Sequence, residues 1–196
     1  MRRGLCSGTM MRCLPGKYPN KHYKGMVEIH TLSAADFKHT MRSNDLYDSN
    51  IELRTDLAVI SIGNSFEDDL ADDIFANGPS SHWFRKQHKN VLNIDFDDIA
   101  APEEWKNLSK CDQYVLFDDD MARQIAQFVE ENMNASVWIV HCSAGVSRSG
   151  AVSRWLKDWL QVEYGIEANN VDGRHASPNP HVLMVLDRLF SHISAF

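Results

Sequence analysis

One stretch constrains the fold more than any other: His141, Cys142, five short residues, Arg148 and Ser149. Before it, Val137, Trp138, Ile139 and Val140 form an apolar run suited to a buried parallel strand. After it, Ala151, Val152, Trp155, Leu156 and Trp159 recur at helical spacing. A strand, a tight loop and a helix in that order require an α/β arrangement, with the loop at the carboxyl end of the strand. The five residues between Cys142 and Arg148 are Ser143, Ala144, Gly145, Val146 and Ser147. A loop of such residues can wrap so that its N–H groups converge on one centre at a helix N-terminus, where an anion is favoured. Arg148 adds a planar fork suited to phosphate oxygens. Cys142 in that positive field is expected to have a depressed pKa and to be a thiolate near neutral pH.

The pattern H-C-x5-R-S behind a strand resembles the active-site loop of the cysteine-dependent protein tyrosine phosphatases, and within them the compact dual-specificity-like branch. The resemblance covers residues 27–196. It implies a protein tyrosine phosphatase-like fold: a central, mostly parallel sheet flanked by helices. It also implies a two-step reaction without cofactor or metal, in which Cys142 attacks phosphorus and forms a phosphocysteine. Arg148 and the N–H groups of residues 143–148 hold the phosphoryl oxygens. Ser149 eases departure of the sulfur, and His141 tunes Cys142 from behind.

That mechanism needs a general acid on a separate loop to protonate the leaving oxygen. Phe96, Asp98 and Pro102 are similar in outline to the W-P-D-x-G-x-P loop of the tyrosine-specific enzymes, which maps the acid onto Asp98. The Trp and Gly of that pattern are missing here. Asp97 is the close rival, and Asp112 fits the usual spacing to the Cys better but follows no strand end. Arg174, Pro178 and Asn179 match an R-x-x-x-P-N segment of the dual-specificity branch. In that branch the Asn supports the phosphate loop and the Arg braces the segment. Asn179 is also placed to cap a helix, with Pro180 at its first position.

The remaining chain reads as alternating strands and helices. Val27 to Leu32 alternates like a first strand, and Ser33 is placed to cap a helix from Ala34 to Met41. Leu57 to Ile62 is a second, more buried strand, closed by Gly63 and Asn64, and Val91 to Phe96 is a third. The acidic run from Glu67 to Asp73 is expected to be a solvated face. His82, Trp83, Phe84 and Arg85 are read as core rather than cleft lining. Residues 103–117 read as a loop or lid insertion. Asp118, Asp119 and Asp120 open a helix, Gly165 ends the helix that follows the active loop, and Val182, Leu183 and Leu186 begin a last apolar helix face.

Residues 1–26 carry six basic residues before the first acid, with Gly and Pro interspersed, and read as a basic N-terminal tail or extension. They lack the apolar segment of a signal peptide and the periodicity of a transit peptide. The four cysteines, Cys6, Cys13, Cys111 and Cys142, have neither zinc-ligand spacing nor the density of a disulfide framework. With a catalytic thiolate, this points to the cytoplasm. A net charge of -7 argues against nucleic acid or an anionic membrane as partner. The expected partner is a phosphorylated protein.

Phosphotyrosine is the default substrate. The loop lacks the Lys that phosphoinositide phosphatases of this superfamily often carry, and the acidic balance disfavours an RNA 5′-phosphate. No N-R-Y segment deepens the pocket, so phosphoserine and phosphothreonine are plausible too. A small phosphorylated metabolite stays open. The readings from other classes are a phosphopeptide-binding module without turnover and a rhodanese-type sulfur transferase.

Overall fold

The computed structural model describes residues 26–67, 76–107, 114–172 and 177–193. Five strands, β1 (Val27–Ser33), β2 (Leu57–Gly63), β3 (Val91–Asp95), β4 (Val137–Cys142) and β5 (Ala168–Asn170), form one sheet in the order β3-β2-β4-β1-β5. Every strand pair in it is parallel. The helices are α1 (Ala34–Ser43), α2 (Pro102–Asn107), α3 (Asp119–Glu131), α4 (Arg148–Tyr164) and α5 (Pro180–Ile193). This is an α/β fold with a central parallel sheet.

Burial on both faces explains the uninterrupted apolar runs of β2 and β4, both wholly buried. On one face, Phe37 and Met41 of α1 pack with Leu57, Val59, Val137 and Ile139. On the other, Ile125 of α3, Trp155 of α4 and Val182 of α5 cover Ile60, Trp138 and Val140. Side chains alternate along a strand, so β4 sends His141 toward α1 and Cys142 toward α4. Because the strands are parallel, the ends of β1, β2, β3 and β4 all meet at one edge of the sheet. The crevice outside those carboxyl ends is where open α/β sheets bind ligands.

The helix boundaries follow their capping chemistry. Ser33 accepts the Asp36 N–H at 3.1 Å and opens α1, which runs to Ser43, slightly past the expected end. Asp118 accepts the Met121 N–H at 2.9 Å and opens α3. Gly165, at φ 64°, closes α4 in the left-handed conformation. Asn179 Oδ1 accepts the N–H groups of His181 and Val182 and starts α5.

Two elements differ from the sequence reading. The segment expected as a loop at 103–117 contains α2, whose first turn carries Glu103 and Glu104 beside the helix dipole. The short edge strand β5 was not anticipated, because its sequence, Ala-Asn-Asn, has low strand propensity and is held by pairing with β1. Of the His82 to Arg85 group, His82 and Phe84 are buried and Arg85 is exposed. The tail at 1–25, most of the acidic run and Asp112, Cys111 and Arg174 lie outside the described residues. Among the described residues, no helix is long and apolar enough to cross a membrane.

Candidate active site

β4 ends at Cys142 and α4 begins at Arg148, so the intervening loop is the turn between the sheet's central strand and a helix N-terminus. Main-chain bonds fix both ends of this loop. Ala34 N–H donates to Ser143 O at 3.1 Å, and Asn179 N–H donates to Ser147 O at 3.0 Å. Gly145 turns the loop at φ 71°. A Cβ there would lie 2.4 Å from Ser33 N and 2.5 Å from Leu32 C, so only glycine fits.

The Cys142 sulfur is buried at the base of the loop, 3.1 Å from Ser149 Oγ. Burial alone pushes this thiol up. The Ser149 hydroxyl, the N–H groups of Ser149 and Val146, and the Arg148 charge outweigh burial and hold the thiol below its ordinary value. The amides of Val146 and Ser149 therefore converge on the sulfur, as a wrapped loop requires.

Arg148 is 3% exposed, and its guanidinium is held almost entirely by neutral oxygens. Nη1 donates to Gly63 O at 2.9 Å and Phe96 O at 2.6 Å. Nη2 donates to Asn64 Oδ1 at 2.9 Å and Ser143 Oγ at 2.8 Å. Nε is buried without a hydrogen-bond partner. Among the described residues no carboxylate forms an ion pair with this group. A buried cation without a counter-charge is costly. Negative charge on the Cys142 sulfur relieves part of that cost, which is why the Arg148 charge lowers the Cys142 pKa.

The two acids after β3 have different surroundings. Asp97 is buried and ties two loops together, accepting from Ser65 N at 3.2 Å, from Val115 N at 2.8 Å and from the Ser65 hydroxyl. Asp98 is exposed and leans over the active loop. Its Oδ1 accepts from Ser147 Oγ and Asn179 Nδ2, both at 2.7 Å. Asp98 is therefore the acid beside the cradle, and Asp97 is structural. The Ser147 hydroxyl bonds Asp98 instead of capping α4, so the helix's first amides remain for the sulfur and an anion.

His141 lies on the opposite face from Cys142, stacked on Phe37 with ring centroids 3.9 Å apart. Its Nε2 is 2.7 Å from Ser61 Oγ. Burial first, then the charges of His82, Lys38 and Arg148, push its pKa down to about 3 against the Cys142 main chain, which opposes them. The ring is thus neutral at working pH. The unfolded ring takes up a proton below about pH 6.5, while the native ring does not until about 3. Its contribution to stability is therefore present above pH 6.5 and is lost as pH falls through that window. The loss should reach about 2 kcal/mol near pH 5. Urea midpoints compared at pH 7.5 and 5, roughly the two ends that matter, should fall more for the natural chain than for His141→Gln. Equal falls would refute the assignment.

Of the residues singled out in the sequence, the structure brings together Cys142, Arg148, Ser149, residues 143–147, Asp98 and Asn179, while His141 lies on the other face of β4. The sequence reading did not assign Asn64, which accepts from Arg148, or Asn77, whose Nδ2 donates to Ser143 Oγ at 3.0 Å, to the site. The Gly63-Asn64 pair at the end of β2 was the available signal for the first. Compared with protein-family models, curated proteins and solved structures, the chain matches none.

Proposed function

We propose that the chain is a phosphoric monoester hydrolase of the cysteine-dependent protein tyrosine phosphatase type, with a dual-specificity-like active loop and a phosphorylated protein as substrate. One observation carries this reading. A buried guanidinium with no carboxylate partner among the described residues shares its cradle with a thiol held below its ordinary pKa by the Ser149 hydroxyl, two amides and the Arg148 charge. Such a site favours an anion, and a tetrahedral dianion satisfies the Arg148 Nε and the loop amides together. The thiolate of Cys142 then attacks phosphorus in line, and the phosphoryl group passes to sulfur as the ester oxygen leaves. Asp98 protonates that oxygen through Oδ2, since Oδ1 is engaged by Ser147 and Asn179. The same carboxylate takes a proton from the water that cleaves the phosphocysteine, and the Ser149 hydroxyl donates to the departing thiolate. A working thiolate of this kind belongs in a reducing compartment, which supports a cytoplasmic setting.

The direct test is steady release of p-nitrophenol from p-nitrophenyl phosphate, with inhibition by vanadate. Tight phosphopeptide binding with no release would make the chain a binding module. Thiocyanate from thiosulfate and cyanide would make it a sulfur transferase. For the acid, Asp98→Asn should lower kcat roughly a hundredfold and remove the descending alkaline limb of the pH–rate profile. Asp97→Asn should lower stability and keep that limb. The reverse pattern would reassign the acid.

A further inference from the structure

Behind the nucleophile, four polar side chains form a continuous line across the α1 face of the sheet. Leu57, Val59 and then Ser61 share that face on β2, and Val137, Ile139 and then His141 share it on β4. Ser61 and His141 are register partners. Where the pattern would place two more apolar side chains, it places a hydroxyl and an imidazole. Ser61 Oγ lies 2.7 Å from His141 Nε2 on one side and 2.7 Å from His82 Nδ1 on the other. His82 Nε2 then lies 2.8 Å from Asp95 Oδ1 at the end of β3. His82, Ser61 and His141 are all buried, and the line reaches solvent only at the partly exposed Asp95. Gly63, beside Asp95 in the sheet, leaves space for this pair. A Cβ there would lie 2.0 Å from Asp95 Oδ1 and 3.1 Å from His82 Nε2.

From this geometry we infer that Asp95, His82 and Ser61 are positioning residues that fix which ring nitrogen of His141 carries its proton. Each proton along the line is set by the one before it. The Asp95 carboxylate only accepts, so it holds the proton of His82 on Nε2. The Nδ1 of a neutral His82 is then a lone pair and accepts the only O–H of Ser61. The Ser61 oxygen in turn accepts from His141 Nε2–H. His141 Nδ1 is left as a lone pair that makes no hydrogen bond, and the Cys142 main chain, which favours a ring proton, is the acceptor that takes it when Ser61 no longer holds it on Nε2. If His82 is removed, the Ser61 hydroxyl turns to His141 Nε2 as donor, and the ring proton moves to Nδ1. One proton leaves one nitrogen and one joins the other, so the net charge does not change. The catalytic meaning of this arrangement rests on the phosphatase reading. The tautomer itself does not.

The test is the imidazole 15N–1H correlation spectrum of His141, recorded at about pH 8.5, two units above the ordinary histidine pKa. The natural chain should show the Nε2–H form. Ser61→Ala and His82→Phe should each move the proton to Nδ1. His82→Phe keeps the ring's shape but has no acceptor, and Ser61→Ala changes one atom, so loss of folding in one leaves the other to decide. If Nδ1–H is found in the natural chain, or the same tautomer in all three, the relay is wrong. In aryl phosphate turnover, each substitution should lower kcat by roughly fivefold with KM unchanged, the scale of one hydrogen bond. The double variant should fall no further than either single one, because the residues act as one line. Fully additive losses would mean that the two sites act separately and would also overturn the proposal. The spectrum can be read whether or not the chain turns over phosphate esters, so failure of the relay and failure of the phosphatase reading are distinguishable.

Discussion

Cys142→Ser should abolish aryl phosphate turnover, with a loss of at least about 10⁴-fold, while phosphate or a phosphopeptide still binds. The loop stabilises a negative sulfur through the Ser149 hydroxyl, two amides and the Arg148 charge, against the opposing cost of burial. A serine hydroxyl is far less acidic than a thiol, and the same surroundings do not ionise it near neutral pH. Described residues place no general base beside it: Asp98 is engaged with Ser147 and Asn179, and His141 lies on the other face of β4. The anion cradle itself is untouched, because Arg148 makes its hydrogen bonds to Gly63, Asn64, Phe96 and Ser143, none of which involves the sulfur. Initial rates measured beside phosphate affinity by calorimetry separate the two effects. Full activity in the variant would remove Cys142 from the chemistry altogether.

Arg148→Lys should cost roughly 10³-fold in kcat/KM and also lower stability, even though the formal charge is kept. The guanidinium satisfies four oxygens from the ends of β2 and β3 and the loop before α4, and its Nε makes no hydrogen bond. An ammonium is a single point with three donors and cannot reproduce that fork. At least one buried acceptor is left unpaired, at about 1–3 kcal/mol. Chemical denaturation should therefore show a lowered midpoint, and vanadate affinity should fall with activity. A variant with unchanged midpoint and weakened activity would mean that the four contacts carry no stability.

The α/β fold and the loop of the candidate site were legible in the sequence for a common reason: both depend on local spacing. The apolar run of β4, the small loop and the periodic face of α4 lie within one contiguous stretch, so strand, turn and helix could be read together. Ser33, Asp118, Gly165 and Asn179 act on backbone within a few residues of themselves, and the helix ends they set were readable for that reason. Contacts made across the sheet were not readable. Ser61 and His141 are 80 positions apart and meet only because β2 and β4 pair in one register. Asp97 and Asp98 are adjacent and chemically alike. What separates them is the position of Ser65 and Val115 on one side and of Ser147 and Asn179 on the other, which no periodicity encodes. α2 was hidden because six residues give too little apolar pattern to distinguish a short helix from a loop.

The parallel sheet also divides the molecule into two ends with unequal tolerance. Cys142, Arg148 and Asp98 crowd one rim. At the other rim the turn between α3 and β4 exposes Asn134, and the Ser136 and Val137 amides behind it both donate to Asp56 O at 3.0 Å. A reporter domain or surface tether grafted at Asn134 would therefore sit a full strand length from the chemistry. A chain immobilised at that point would keep the rim that carries the loop of residues 142–148 facing free solution.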